Sequence, residues 1–229
     1  MNKVRVIIPA YNEESSIAKV VNDIPSHISE VIVVDNNSTD QTSKNAKEAG
    51  ATILYEPNMG YGYACLNGLS YLQNLEDITD IVVFLDGDYS DYPDEMDKLL
   101  KPITEDDIDL VIGARVKSKR EPGSMTFPQI FGNWLATSLM RLFFNSKFTD
   151  LGPFRAIKYE KLLDLNMEDK TYGWTVEMQL KALKQNLSYT EVKMNYRNRI
   201  GTSKVSGTIK GAVMAGVKIL GWIFKYTFK

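Results

Sequence analysis

A mostly parallel α/β sheet flanked by helices is the fold this sequence predicts, and three observations predict it. Short runs rich in Val and Ile alternate with helical segments through residues 1–115. Those runs are apolar at successive positions, as strands covered on both faces must be. Carboxylates stand directly after two of them, Asp35 and Asp86, where open α/β sheets place their ligands.

The elements follow in order. Val4 to Ile8 reads as the first strand, since four of its five residues are β-branched. A helix is expected from about Glu14 to Asp23, then a strand from Glu30 to Val34. Ser38, Thr39 and Asp40 offer capping side chains to a helix over 40–49. Ala51 to Tyr55 reads as a third strand, Tyr61 to Leu75 as a longer helix and Ile81 to Leu85 as a buried strand. A helix near Asp94 to Leu100 and a strand from Leu110 to Gly113 complete the alternation. After Val116 the rhythm changes. Residues 117–124 are charged and contain Gly and Pro, a loop composition. Gln129 to Phe144 is an apolar, aromatic helix or helix pair; residues 151–165 hold a strand and a short helix. Gly173 to Gln185 is helical, Tyr189 to Tyr196 alternates like a strand, and Val205 to Lys229 is a last helix.

Composition narrows the chemistry. A net charge of −2 gives no global attraction to nucleic acid, so no nucleic-acid partner is expected. One cysteine, Cys65, excludes an intramolecular disulfide framework and suits a reducing compartment. The lone His27, in a helix-to-strand loop, reads as a surface residue, which disfavours histidine triads and His-rich metal sites. No apolar run reaches the roughly 18–20 residues that a membrane-spanning helix needs, and the N-terminus carries no signal-peptide pattern. A cytoplasmic protein is expected.

The segment Ile81 to Pro93 carries the strongest chemical signal. Asp86 and Asp88, separated by Gly87, suit a hard divalent cation that leaves positions open for phosphate oxygens; an acidic turn is the competing reading. A nicotinamide or flavin site is disfavoured, because no glycine turn follows the first strand. Gly60-Tyr61-Gly62 also lacks a third glycine, Cys65 standing in its place.

Four motifs now occur in one order: Pro9-Ala10-Tyr11-Asn12-Glu13, the Val33 to Asp40 run, Asn58-Met59-Gly60, and Asp86-Gly87-Asp88. In that order the chain resembles the inverting family-two glycosyltransferases, whose fold is GT-A, over roughly residues 3 to 115. The resemblance implies that Pro9, Tyr11 and Glu13 line a nucleotide pocket and that Asp35 contacts the base. It implies that Asp86, with Gly87, faces the ribose and metal, and that Asp88 joins Asp86 in holding Mg²⁺ or Mn²⁺ against the diphosphate of a UDP- or GDP-sugar. Tyr61 departs from the pattern, since many relatives carry Lys there.

The second half resembles dolichyl-phosphate mannose synthases and bacterial polyprenyl-phosphate glycosyltransferases. Asp150 to Ala156, Gly113-Ala114-Arg115 and Arg197 to Lys204 carry that likeness. It implies a phosphate-binding set of Arg115, Arg155, Arg199, Ser203 and Lys204 for a polyprenyl phosphate acceptor, with Arg155 and Arg199 joining Asp88 in catalysis. Arginine forks suit phosphate oxygens. A phosphate monoester, with its second pKa at roughly 6, is already nucleophilic without a base. For a hydroxyl acceptor on a glycan or small molecule, Glu177 is the base candidate; its other reading is a helix acid that positions arginines.

On the last helix Lys210, Lys218, Lys225 and Lys229 share one stripe at roughly 100° per residue, apart from the apolar positions. An interfacial helix and a core-packing helix both explain the stripe. On the interfacial reading, each lysine near an anionic leaflet contributes on the order of 1 kcal/mol. The expected organisation is a GT-A domain over 1–200, with a nucleotide-sugar half at 1–115 and an acceptor half at 116–200. An amphipathic helix over 201–229 would hold it peripherally on the cytoplasmic face of a membrane.

Overall fold

The computed structural model describes residues 2–202 and 209–228. Among them lie β1 (Val4–Ala10), α1 (Ile17–Asn22), β2 (Glu30–Asp35), α2 (Thr42–Glu48), β3 (Thr52–Tyr55), α3 (Tyr61–Gln73) and β4 (Ile81–Phe84). There follow α4 (Met96–Asp106), β5 (Leu110–Ala114), α5 (Phe127–Phe144), β6 (Arg155–Lys158), α6 (Tyr159–Asp164), α7 (Trp174–Lys184), β7 (Tyr189–Lys193) and α8 (Ile209–Thr227). The strands form one sheet in the order β3-β2-β1-β4-β6-β5-β7. Only β6 among them runs antiparallel to its neighbours. The expected α/β architecture is therefore present.

Both sheet faces are buried, which explains why the strands lack a polar alternation. Val6, Ile8, Val83 and Leu85 pack against α1, α2 and α4. Ile7, Val82 and Phe84 point the other way, towards α3 and α5 to α8, where Phe84 meets Trp174 edge-on with ring centres 5.7 Å apart. The chain leaves β1 in one direction through β2 and β3, then returns to β4 on the other side of β1. That reversal opens a crevice beyond the carboxyl ends of β1 and β4.

Local departures from expectation have simple causes. Helix α2 starts at Thr42, and Asp40 caps it from two residues back by accepting the Thr42 N–H at 2.9 Å. Helix α5 is one continuous helix, started by a capping box between Thr126 and Gln129. His27 lies at the surface beside Asp97, as its loop position implied.

Helix α8 packs on the domain along one side and exposes apolar residues along another. Trp222 and Ile223 are buried in the same core as Trp174, whereas Val217 is 62% and Phe228 83% exposed. The lysine stripe needs correcting for two members: Lys218 pairs with Asp169 at 3.1 Å and Lys225 with Glu168 at 3.3 Å. They face acidic groups of the domain, so they are not four charges offered to a leaflet. Lys229 and the Lys210 side chain lie outside the described residues. No described helix is long and apolar enough to cross a membrane.

Candidate active site

The crevice between β1 and β4 holds a cleft of about 250 Å³. Pro9, Ala10 and Tyr11 form one wall, Asp86 and Gly87 the floor, Asn36, Met59 and Gly60 another side, and Thr171 and Tyr172 the far wall. Four residues expected at a nucleotide, Pro9, Tyr11, Asp86 and Gly87, thus come together. Asn36 was missed by sequence reasoning. Its side chain donates to the Glu56 and Asn58 carbonyls and accepts the Gly60 N–H at 2.7 Å, which fixes the turn below the cleft.

Asp35 lies behind the cleft. It is buried and does not line the cleft; its carboxylate accepts the Ser38 N–H at 2.8 Å and the Ser43 hydroxyl. In this arrangement it organises the loop after β2. Glu13 is also set back from the cleft, but Arg199 links it to the acid pair. Arg199 Nη2 lies 2.9 Å from Glu13 Oε1, and Nη1 lies 3.1 Å from Asp88 Oδ2. Asp88 Oδ1 accepts the Ser90 N–H at 2.9 Å and the Ser90 hydroxyl at 2.5 Å.

Asp86 is the strained partner. Burial first, and then the neighbouring Asp88 charge, raise its carboxyl from the ordinary range to about 6. Its carboxylate lies beside the Tyr61 hydroxyl, whose hydrogen bond pulls the other way, and Oδ1 and that hydroxyl are both sealed from solvent. Burial, followed by the Asp86 charge, pushes the Tyr61 phenol well up, so it remains a neutral neighbour. Asp91 forms a third acid of the cluster, raised by burial and then by Asp86. The spacing Asp86, Asp88, Asp91 was the signal that could have found it.

A divalent cation fits this pair. A carboxylate oxygen sealed from solvent and two mutually repelling acids are both relieved by positive charge. Among the described residues, no set of three or more His, Cys, Asp or Glu is placed to hold a metal. A cation held by Asp86 and Asp88 would leave its other positions to oxygens of water and ligand, the usual manner of Mg²⁺.

A second cleft of about 310 Å³ shares the Asp86 wall with the first. Arg115, Arg199 and Tyr196 bring it polarity, while Pro128, Gly132 and Leu151, with Ala215, Gly216 and Ile219 of α8, make its remainder largely apolar. Arg115 is locked by Asp150, which accepts its Nε at 3.0 Å, its Nη2 at 2.6 Å and its backbone N–H at 2.7 Å. The two segments approach because Gly152 lies on Gly113: a Cβ on Gly152 would stand 2.3 Å from the Gly113 carbonyl oxygen.

Two further candidates are enclosed by protein groups. Arg155 is fully buried, and its guanidinium donates to the Gly152, Leu151 and Thr175 carbonyls. In this arrangement it ties the Leu151–Gly152 segment to the start of α7. Glu177 is fully buried as well. It accepts the Glu168 and Asp169 N–H groups at 2.8 Å each and pairs with Lys181, so it is a bracing acid and not a base open to an acceptor hydroxyl. Ser203 and Lys204 lie outside the described residues.

Fold and site together define a GT-A enzyme. The chain belongs to glycosyl transferase family 2, whose profile matches residues 5–165. An uncharacterized glycosyltransferase of Mycobacterium tuberculosis is 33% identical over 215 residues, which cover 93% of this chain and 94% of that one. A UDP-N-acetylglucosamine–dolichyl-phosphate N-acetylglucosaminyltransferase of Methanococcus voltae is 31% identical over 209 residues, 82% of each chain. Among solved structures, glucosyl-3-phosphoglycerate synthase from Mycobacterium tuberculosis, in complex with Mn²⁺, UDP and glucosyl-3-phosphoglycerate, superposes with a TM-score of 0.78. It is 21% identical and covers 99% of this chain and 80% of that one, a likeness of fold.

Proposed function

We propose that this glycosyltransferase moves one sugar, with inversion, from a UDP- or GDP-sugar to a polyprenyl or dolichyl phosphate at a membrane surface. The observation that carries the reading is the pair of clefts meeting at Asp86. One has the shape and position of a nucleotide site; the other offers Arg115 and Arg199 and continues between α5 and α8. The outward sides of those helices are unusually apolar: Phe127, Phe131, Trp134, Leu142, Val217 and Phe224 are exposed. Such a patch on one side suits the headgroup region of a bilayer. The Methanococcus relative, named for a dolichyl-phosphate acceptor, supports the same assignment.

The chemistry follows from the groups present. Mg²⁺ or Mn²⁺ on Asp86 and Asp88 would neutralise charge developing on the nucleoside diphosphate. Arg199, already between Asp88 and Glu13, stands beside that charge. An acceptor phosphate oxygen forms the new bond to the anomeric carbon as the bond to the diphosphate breaks on the opposite face. That nucleophile is anionic, so the burial of Glu177 costs the reaction nothing. Hydroxyl transfer with Glu177 as base would require this acid to leave three hydrogen-bonding partners.

The test is transfer from labelled UDP- and GDP-sugars, with Mn²⁺ and vesicles containing polyprenyl phosphate, followed by organic extraction. The expected label enters the organic phase. Label confined to the aqueous phase, for instance on added 3-phosphoglycerate, would contradict the lipid acceptor and favour a small phosphorylated one.

A further inference from the structure

One wall of the donor cleft is held from a distance. Thr171 and Tyr172 belong to an irregular segment, 168–173, which three other parts of the molecule clamp. Glu177 holds the Glu168 and Asp169 amides. The first turn of α3 donates from Gly62 and Tyr63 to the Thr171 and Lys170 carbonyls, at 3.2 and 3.1 Å. The third clamp is α8, which acts through Asp169, a residue only 1% exposed.

The two oxygens of Asp169 face different elements. Oδ1 accepts the N–H groups of Thr171 at 2.7 Å and Gly173 at 2.9 Å, both within the cleft wall. Oδ2 accepts the Trp222 indole N–H at 2.6 Å and pairs with Lys218 at 3.1 Å, both on α8. The indole lies directly on the wall segment: a Cβ on Gly173 would stand 2.5 Å from the Trp222 ring. Neither Asp169 nor Trp222 lines either cleft.

We infer that Asp169 is a positioning residue that couples the seating of α8 to the grip of the donor cleft on a nucleoside diphosphate. The inference rests on reading that cleft as the donor site. A carboxylate is planar and rigid, so a shift of Trp222 leaves Oδ2 buried and under-paired, or else rotates Oδ1 away from Thr171 and Gly173. Either outcome loosens the Thr171–Tyr172 wall. Helix α8 thus carries an apolar outward side and, on its inner side, the strut of the donor wall. A helix that docks on a lipid surface is thereby able to set donor affinity.

The test uses Trp222→Phe, which keeps an aromatic ring and deletes the donor, and Asp169→Asn, which keeps the size. Calorimetric titration with UDP and with GDP, each with Mn²⁺, reads the effect. Each variant is expected to bind the preferred nucleotide about tenfold more weakly, the scale of one hydrogen bond to a charged group. The double variant is expected to lose about tenfold as well, because both changes cut the same tie between Asp169 and α8. Unchanged affinity in the single variants overturns the inference, and so does a double loss of about a hundredfold, the product of independent effects. Wild-type protein that binds neither nucleotide overturns the donor-cleft reading together with this one; a failure confined to the variants overturns this one alone.

Discussion

Asp88→Asn is expected to reduce turnover on the order of 10²–10³-fold, the scale of removing one preorganised electrostatic group at a developing charge. The substitution separates chemistry from folding. An Asn Oδ1 still accepts from the Ser90 N–H and hydroxyl, so the turn after β4 is kept. What is lost is the charge that faces Arg199 and, with Asp86, would hold the cation. The matching observation is an unfolding temperature near that of the wild type with Mn²⁺-dependent donor binding weakened. Turnover equal to the wild type would refute the metal assignment.

The largest stability effect is expected at Asp150. Asp150→Ala leaves Arg115 buried with its bidentate partner and backbone acceptor removed, which costs about 3–5 kcal/mol. The midpoint of urea denaturation measures it. Adding Arg115→Met to Asp150→Ala should recover part of the loss, since replacing both charges removes the unpaired cation. A midpoint unmoved by Asp150→Ala would show that water reaches the pair, contrary to its burial.

The residues that were legible from sequence are those whose chemistry is local. The apolar runs Val4 to Ile8 and Ile81 to Leu85 announced strands covered on both faces, and Asp86 and Asp88 stand at a strand end where parallel sheets place ligands. Pro9 and Tyr11 were found through the motif after the first strand and do line the cleft. What sequence could not show was the direction of side chains whose partners are far along the chain. Arg155 and Glu177 look like a phosphate fork and a base, yet backbone carbonyls and amides surround them. Asp35 bonds two serines in its own loop. The lysines of α8 form a stripe in projection, but Lys218 and Lys225 meet Asp169 and Glu168 only because α8 packs beside the segment before α7. Nothing in the local pattern around Asp169 marks it as the junction between that segment and Trp222.

The central claim is that Asp86 and Asp88 form a metal–diphosphate clamp below the first cleft. Titration of UDP and GDP into the wild-type protein, with Mn²⁺ and with a chelator, tests it most directly. The clamp predicts tight binding of one nucleotide with Mn²⁺ and a loss of tenfold or more when the ion is removed. Equal affinity with and without the ion would contradict it.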